Sequence, residues 1–465
     1  MTRKQALITT TVVIAMLGCQ RMLPAATPQR ASPAARPGRP ARPEQPQIRS
    51  KEAVLSTTPV PAAPPDSPFA LGINEAVAVP ARLAETMPLD QQSAELATDA
   101  QAAASVGARF VRGHTGNYPK LSQMDVDASP DALKKGDAWV TAVQAAGLEP
   151  ILMVSPWPGN DTGKFTQHYL PADMAAYSTY VAKVVERYDG DGVDDMPGLK
   201  HPVRYWEVDN EPDLKNSNVA RSATTTYDPA LFCTPAEYAQ VFLASAKAIK
   251  GAFPGARVLN GGLYRPHSEQ GSGWFRDFVA VPGVLDAIDI VSAHTYHDDL
   301  DGERLATGVR NERFYAPTKP LWVTETSLGT TDSITEEDQA RMLVTFVVRS
   351  ALEGADKVFW HTLSDPPVRS GGRNMPMAGH SLFSMNEQRQ PTIKPVGEVY
   401  RNFAAFLKDH DLNGCVPDGT GAVKLRDGTV VLYEGSRAVP KQGGDLRTGK
   451  ALAAGATATA PAWIE

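Results

Sequence analysis

The stretch VRYWEVDNEP, residues 203–212, joins a short apolar and aromatic run to a polar end. After it, TPAE at residues 234–237 forms a helix-capping box with proline at the first helical position, and an apolar period continues through Ala248. A buried strand followed by an amphipathic helix is the repeating unit of proteins with a parallel sheet. The apolar run in residues 203–212 and the capped amphipathic stretch that starts at residue 234 therefore predict one strand–helix unit.

The same alternation recurs about eight times between residues 67 and 410. The predicted strands cover residues 69–74, 108–114, 149–156, 203–211, 256–264, 288–297, 320–328 and 357–364. Near-continuous apolarity is typical of parallel strands buried on both faces, so we predict an α/β fold, a (β/α)8 TIM barrel over residues 67–410. A doubly wound open sheet is the alternative, but it needs a glycine-rich phosphate loop after an early strand, and the sequence has none.

Beyond residue 410 the pattern changes to short alternating runs. Residues 422–426 and 429–434, joined by Asp427-Gly428, predict a β-hairpin, and residues 445–452 predict a further strand. We therefore predict a small β appendage over residues 411–465, packed against the barrel.

The first 66 residues have a different composition. In residues 1–19 a charged start precedes an apolar run too short to span a bilayer, which is typical of an export signal. It ends in Gly18-Cys19 and resembles the bacterial lipoprotein signal, which implies lipidation of Cys19 and attachment at the outer membrane or cell surface. An ordinary secretory signal, giving a periplasmic or secreted chain, is the alternative. Residues 20–66, rich in Pro, Ala and Arg, predict a disordered linker, with a folded arm as the alternative.

Charge and cysteine content exclude several classes of protein. Lys and Arg number 46 against 52 Asp and Glu, a net charge of −6. Without a basic surplus, we expect no nucleic-acid partner. The three cysteines form no disulfide framework or zinc cluster, and Cys233 and Cys415 either pair or stay buried as free thiols. Walker A and HExxH patterns are absent, so we expect no cofactor and no metal.

Candidate catalytic residues stand at the predicted carboxyl ends of the strands, where barrel enzymes place their chemistry. Glu211 ends the fourth predicted strand and Glu325 the seventh. Cleavage of a glycosidic bond needs one carboxylic acid and one carboxylate, so this pair indicates carbohydrate chemistry. The surrounding candidates for substrate binding are Arg112, His114, Asn210, His294 and Tyr296, which offer hydrogen bonds, and Trp157 and Trp360, which offer apolar platforms for sugar rings.

These motifs resemble glycoside hydrolase clan A, in which Asn210-Glu211-Pro212 would follow the fourth strand and Glu325 would end the seventh. FVRGH at 110–114, HTY at 294–296 and WHTLSD at 360–365 are most similar to family 39, which contains β-xylosidases, α-L-iduronidases and some bacterial exopolysaccharide hydrolases. The resemblance implies a carbohydrate substrate and retention of configuration, with Glu211 as acid/base and Glu325 as nucleophile. Asp209 and Thr326 depart from the residues common in relatives.

Further expectations concern the carboxyl pair. For a retaining enzyme the two carboxyl groups should lie about 5 to 5.5 Å apart. We expect Arg112 and Tyr296 to keep Glu325 ionised, and the charges of Glu325 and Asp209 to raise the pKa of Glu211.

Other interpretations of the same residues remain. His114, His294, Trp157 and Trp360 also suit a buried core. A catalytically inactive carbohydrate-binding barrel is the main alternative function, although a binder has no need of two carboxylates in one cleft. A metal-dependent barrel hydrolase would require a His-x-His pair on the first strand, and residues 69–74 contain no histidine.

Overall fold

The structure is a computed structural model that describes residues 67–75, 87–114, 119, 121–129, 131–157, 170–213, 233–296, 300–364, 379–386 and 390–465. Eight parallel strands form its centre: β1 (Ala70–Asn74), β2 (Phe110–Arg112), β3 (Glu149–Val154), β4 (Tyr205–Val208), β5 (Arg257–Asn260), β6 (Val291–His294), β7 (Leu321–Thr326) and β8 (Lys357–His361). Their order is β5-β4-β3-β2-β1-β8-β7-β6. Parallel bridges from Leu259 to Ile290 and from Leu263 to Ala293 join β5 to β6. The strands thus close on themselves, and the predicted (β/α)8 TIM barrel is confirmed.

Helices follow the strands around the barrel. Those described are α1 (Leu89–Ser105), α2 (Gln123–Ala128), α3 (Asp131–Ala145), α4 (Met174–Glu186), α5 (Pro235–Ala252), α6 (Glu269–Val279), α7 (Val284–Ala287), α8 (Glu303–Tyr315), α9 (Glu336–Leu352) and α10 (Pro395–Phe406). The capping signals determine where several of them start. Thr234 and Glu237 form the predicted reciprocal box at α5, and Thr335 and Asp338 form another at α9. Among the described helices, none combines the length and apolarity that crossing a bilayer requires.

The barrel interior holds a closed apolar layer near the amino ends of the strands. We call it the lower layer; its members are Ala70, Phe110, Ile151, Tyr205, Leu259, Ile290, Trp322 and Phe359. The rings are in direct contact, with centroids 5.3 Å apart for Phe110 and Trp322 and 5.0 Å for Tyr205 and Trp322. A second, larger core fills the space between the strands and the helices. The lower layer closes the barrel from below, so any cleft must open at the carboxyl ends of the strands.

Short antiparallel strands follow the barrel, and six of them form one sheet in the order β11-β12-β13-β18-β15-β16. They are β11 (Val416–Pro417), β12 (Ala422–Lys424), β13 (Val430–Leu432), β15 (Gln442–Asp445), β16 (Ala451–Ala453) and β18 (Ala462–Ile464), beside the pair β14 (Ser436–Ala438) and β17 (Thr457–Thr459) and the barrel-side hairpin β9 (Phe383–Met385) and β10 (Pro391–Ile393). The predicted hairpin is β12–β13, turning at Gly428 with a φ of 96°. The prediction of one strand over residues 445–452 is wrong, because residues 446–450 form the turn between β15, which ends at Asp445, and β16, which begins at Ala451.

The C-terminal sheet is attached to the start of β1. The Asp411 carboxylate accepts a hydrogen bond of 2.9 Å from the Phe69 backbone, and the Asn413 side chain donates to Ser67. Trp463 of β18 packs against Phe406 of α10. Cys233 and Cys415 are both buried and no disulfide joins them, which decides the open question about their pairing. The export signal, Cys19 and the linker fall outside the described residues and stay predictions.

Candidate active site

A polar layer lies directly above the apolar one. We call it the upper layer; its members, each two residues beyond a member of the lower layer, are Gly72, Arg112, Met153, Glu207, Gly261, Ser292, Thr324 and His361. Side chains alternate across a strand, so both layers face the barrel interior. Above this layer, at the carboxyl ends of the strands, lie the two candidate catalytic glutamates.

Arg112 lies at the centre of the upper layer and is fully buried. Its guanidinium donates from Nε to Glu207, from Nη1 to Asn74 at 2.8 Å and to Glu325 at 2.6 Å, and from Nη2 to Asn210 at 2.8 Å. Burial opposes the charged form of Arg112, but the carboxylates of Glu207 and Glu325 outweigh burial and raise its pKa. The guanidinium is therefore a permanent positive charge beneath the cleft.

Glu325 is held as an ionised carboxylate. Arg112 donates to Oε1, and the Tyr296 hydroxyl donates to Oε2 at 2.6 Å. Burial favours the neutral acid, yet the interactions of the carboxylate with His294 and with the charged Arg112 outweigh it and hold the pKa of Glu325 well below its usual range. An ionised and oriented carboxylate of this kind is suited to attack an electrophilic carbon.

A bulge in β7 turns Glu325 towards the cleft. In the pairing of β6 with β7, Ser292 is opposite Trp322, but His294 is opposite Glu325, so β7 carries one extra residue. Strict alternation from Trp322 would point Thr324 inward and Glu325 outward. The shift in register gives both side chains an inward position, and it puts Glu325 beside His294.

Glu211 is buried and has the opposite protonation preference. Burial is the largest cause that raises its pKa well above the usual range, and the charges of Glu325 and Asp213 add to it. The Glu211 backbone has a φ of 45°, in the left-handed region that a residue with a Cβ seldom adopts. Its N–H donates to the Gly262 carbonyl at 3.2 Å, which holds the unusual backbone in place. Glu211 therefore keeps its proton to a higher pH than an ordinary glutamate does, as a general acid requires.

His294 lies between the two glutamates. Its Nδ1 is 3.0 Å from Glu211 Oε1, and its Nε2 is 3.6 Å from Glu325 Oε1. Burial lowers the pKa of His294 to about 3, so the ring is neutral at physiological pH. Gly262 makes room for it, because a Cβ there would lie 2.2 Å from His294 Cδ2.

The other predicted site residues occupy different depths of the cleft. Asn210 accepts from Arg112 and is buried, as is His114, whose Nδ1 is 3.9 Å from Glu75 Oε1. Trp157 is half-buried at the end of β3, directly before residues outside the described part of the chain. These three residues follow β4, β2 and β3 at the carboxyl ends of the strands, and Trp157 packs against the core between the strands and the helices.

The sugar platform predicted at Trp360 is not supported. Trp360 belongs to the core between the barrel and the helices, is only 2% exposed, and donates from Nε1 to the His380 carbonyl at 2.8 Å. The next residue, His361, has the inward position because it is two residues beyond Phe359. Its Nδ1 is 2.9 Å from Asn74 Nδ2, and its ring meets Tyr296 edge to face. We therefore assign the strand-8 position of the cleft to His361.

Asp209, which we predicted to raise the pKa of Glu211, is not among the groups with the largest effect on that pKa. Asp209 has a φ of 64°, and its Oδ1 accepts from Ser155 at 3.0 Å and from the Asn210 backbone at 2.8 Å. These bonds hold the carboxylate towards β3. The second acid that affects Glu211 is Asp213, which accepts from the backbone of Tyr264.

Sequence reasoning missed four polar residues of the site: Asn74, Glu207, Ser292 and His361. Each lies two or four residues beyond a member of the lower layer on its own strand. A polar residue at an inward position of an otherwise apolar strand was the signal that could have found them.

Glu211, His294 and Glu325 each offer one potential ligand atom, and the three atoms lie within 4.8 Å of one another. Both oxygens of Glu325 already accept hydrogen bonds, from Arg112 and from Tyr296. A cation there would also meet the positive charge of Arg112. We therefore assign acid–base chemistry, and no metal, to these residues.

Comparison with known proteins shows what this chain is similar to. Residues 197–395, which include β4 through β8, match the family model of the glycosyl hydrolase catalytic core. The chain is therefore similar to glycosyl hydrolases over these residues. No curated protein sequence matches the chain.

Several solved structures share the fold of this chain. A family 39 glycoside hydrolase from Bacteroides cellulosilyticus WH2 aligns with a TM-score of 0.58 at 15% identity, covering 85% of this chain and 80% of its own. A family 39 β-xylosidase from Caulobacter crescentus gives 0.51 at 20%, covering 82% and 83%. A family 51 α-L-arabinofuranosidase from Bifidobacterium longum gives 0.54 at 13%, covering 87% and 96%. These structures share the barrel fold of the chain, and the family model supports the resemblance to glycoside hydrolases that the motifs indicated.

Proposed function

We propose that the protein is a retaining glycoside hydrolase that acts on an oligosaccharide or polysaccharide by double displacement. One observation carries the proposal: a carboxylate oxygen of Glu211 lies within 4.8 Å of one of Glu325. Retaining enzymes place their carboxyl groups about 5 to 5.5 Å apart, whereas inverting enzymes leave about 6.5 to 9.5 Å for a water molecule. The short separation favours direct attack by one carboxylate.

In the first step Glu325 attacks the anomeric carbon while the bond from that carbon to the leaving oxygen breaks. Glu211 transfers its proton to the leaving oxygen, so the aglycone departs as an alcohol and the sugar is bound to Glu325 as an ester. Arg112 and Tyr296 orient the attacking carboxylate without neutralising it by proton transfer.

In the second step water replaces the aglycone. Formation of the ester removes the negative charge of Glu325, which lowers the pKa of Glu211 and makes it a base. Glu211 takes a proton from the water, whose oxygen attacks the anomeric carbon and releases the Glu325 carboxylate. Two inversions give a product with the configuration of the substrate.

The test uses a panel of aryl glycosides and follows the first product by proton NMR before it mutarotates. We expect the wild type to release the anomer that it was given, and Glu325→Ala to lose activity on every substrate, by roughly 10⁴-fold or more. Release of the opposite anomer would contradict the retaining mechanism. Binding of glycans by both proteins with no hydrolysis by either would indicate a carbohydrate-binding barrel.

We also propose that the chain is exported and held by lipid at Cys19, which the sequence of residues 1–19 supports. Stable attachment needs more than one acyl chain, as a bacterial lipoprotein provides. In cell fractionation, Cys19→Ser should move the protein out of the membrane fraction and keep its glycosidase activity. Equal partitioning of the variant and the wild type would rule out the anchor.

A further inference from the structure

Glu207 of β4 has no part in either reaction step, yet it is fully buried and its carboxylate is well supplied with donors. Oε2 accepts from Arg112 Nε, while Oε1 accepts from the Ser292 hydroxyl at 2.8 Å and from the Gly262 backbone at 3.2 Å. The Ser292 hydroxyl in turn is 2.6 Å from that of Thr324. Burying a carboxylate costs free energy unless hydrogen-bond donors satisfy it. The donors around Glu207 offset that cost, which indicates a specific role for this residue.

One set of contacts leads from Glu207 to the nucleophile. Glu207 holds the Nε edge of the Arg112 guanidinium, and the Nη1 atom of the same planar group donates to Glu325 at 2.6 Å. Because the guanidinium is rigid, fixing one edge fixes the direction of the other donors. Glu207 thereby determines where Arg112 presents its hydrogen bond to Glu325.

A second set of contacts leads to the acid/base. The Gly262 N–H donates to Glu207, and the carbonyl of the same residue accepts from the Glu211 backbone. The His294 ring lies against Gly262 and places Nδ1 at 3.0 Å from Glu211 Oε1. Glu207 therefore fixes Gly262, and Gly262 in turn contacts both Glu211 and His294.

We propose that Glu207 is a positioning residue that fixes both catalytic carboxylates, Glu325 through Arg112 and Glu211 through Gly262 and His294. The inference rests on the proposed function for the roles of Glu211 and Glu325.

Positioning and simple electrostatics predict opposite results when Glu207 becomes neutral. The negative charge of Glu207 by itself disfavours ionisation of Glu325, so its removal from an otherwise unchanged site would lower the pKa of Glu325. If Glu207 holds Arg112 in place, its removal frees the guanidinium from Glu325, and the pKa of Glu325 rises. The other titratable groups that face Glu325 are His114 beyond β2, Glu211 beyond β4, His294 and Tyr296 at the end of β6, and His361 of β8.

The experiment is a carbon-13 NMR titration of glutamate carboxyl groups in Glu207→Gln and the wild type, with the Glu325 signal assigned by its absence in Glu325→Gln. Glutamine keeps the volume and removes the ion pair with Arg112. We expect a higher pKa for Glu325 in Glu207→Gln, and a kcat lower by about 100-fold, since small displacements of catalytic groups have effects of that size. An unchanged or lower pKa would overturn the proposal.

Two further variants keep the test decisive. Asp137→Asn removes the partner of Arg187 on the outer helices, a hydrogen-bonded pair at 2.7 Å, and should leave the pKa of Glu325 unchanged. Glu207→Asp keeps the charge but shortens its reach, so it should raise the pKa of Glu325 by less than glutamine does. If Glu207→Gln does not fold, the direction of the shift in Glu207→Asp decides.

The titration requires no turnover, which separates the two proposals. A wild type that hydrolyses no glycoside would contradict the proposed function, while the pKa comparison would still show whether Glu207 positions Arg112. Conversely, a retaining wild type with an unshifted Glu325 in Glu207→Gln would remove the positioning role alone.

Discussion

In the lower layer of the barrel interior, the rings of Phe110, Trp322 and Phe359 pack with centroids 5.3 to 6.1 Å apart. Two residues further along the same strands, the side chains are Arg112, Thr324 and His361. A shift of one pleat, about 7 Å, therefore changes the interior from aromatic to polar.

The difference teaches how one barrel separates stability from chemistry. The lower layer removes large apolar surfaces from water and contains no charged side chain. The upper layer buries charges, which is costly, and offsets that cost by hydrogen-bonding the Arg112 guanidinium to Glu207 and Glu325. Because the aromatic layer excludes water from below, those charges act in a poorly screened environment, where preoriented groups are most effective.

After the loss expected for Glu325→Ala, the largest effect should follow from changing the acid at the top of the cleft. Glu211→Ala should lower kcat/KM by about 10²-fold to 10⁴-fold for poor leaving groups, because general acid catalysis contributes that much. Substrates with good leaving groups need little protonation and should be far less affected, and azide should restore turnover by attacking the glycosyl–Glu325 ester. Rates measured across a series of aryl glycosides check this. Equal losses for all leaving groups would show that Glu211 is not the acid.

A cavity in the lower layer should reduce stability and leave the chemistry of the cleft unchanged. Phe359→Ala should cost about 3 to 5 kcal/mol of unfolding free energy, since it leaves a cavity between Phe110 and Trp322. The folded fraction should keep the pH dependence of the wild type, because no titratable group of the cleft is changed. Urea unfolding and a kcat/KM pH profile measure the two properties separately. A shifted profile with little loss of stability would break the division between the layers.

Two substitutions at neighbouring residues of β8 compare the side of the strand that faces the cleft with the side that faces the helices. His361→Ala removes a hydrogen-bonding partner of Asn74, which itself accepts from Arg112, and should reduce kcat/KM by about tenfold. Trp360→Phe removes the bond to the His380 carbonyl and should cost about 1 to 2 kcal/mol of stability, with activity within about threefold of the wild type. The reverse pattern would restore Trp360 as the sugar platform.

The smallest effect should be a pH-dependent gain in stability. The pKa of Glu211 is higher in the folded protein than in the unfolded chain. Below the pKa in the unfolded chain Glu211 is protonated in both states. As the pH rises from there towards the pKa in the folded protein, the unfolded chain releases the proton first, and the folded protein loses stability relative to it. Glu211→Gln stays neutral and avoids this loss. Its Tm should match that of the wild type near pH 4 and exceed it increasingly towards pH 7. A difference that is constant with pH would show that Glu211 is not buried as an acid.

Much of the fold could be predicted from the sequence, because it depends on local patterns. Apolar runs gave the eight strands within a few residues, and the capping boxes at Thr234 and Thr335 gave the starts of α5 and α9. The C-terminal strands are only two to four residues long, too short for their alternation to distinguish a strand from a turn, which explains the error at residues 445–452.

The sequence by itself determined the barrel, the polar strand ends and the residue types of a glycosidase, because side-chain period and capping are properties of neighbouring residues. Only the tertiary structure decided which way those residues point. The extra residue in β7 turns Glu325 inward, and the left-handed backbone of Glu211 is held by Gly262 from the next strand. Arg112 joins Glu207 to Glu325 across 118 residues of chain that separate the two glutamates. Such contacts depend on the closure of the barrel, which brings distant strands together, and no local pattern records them.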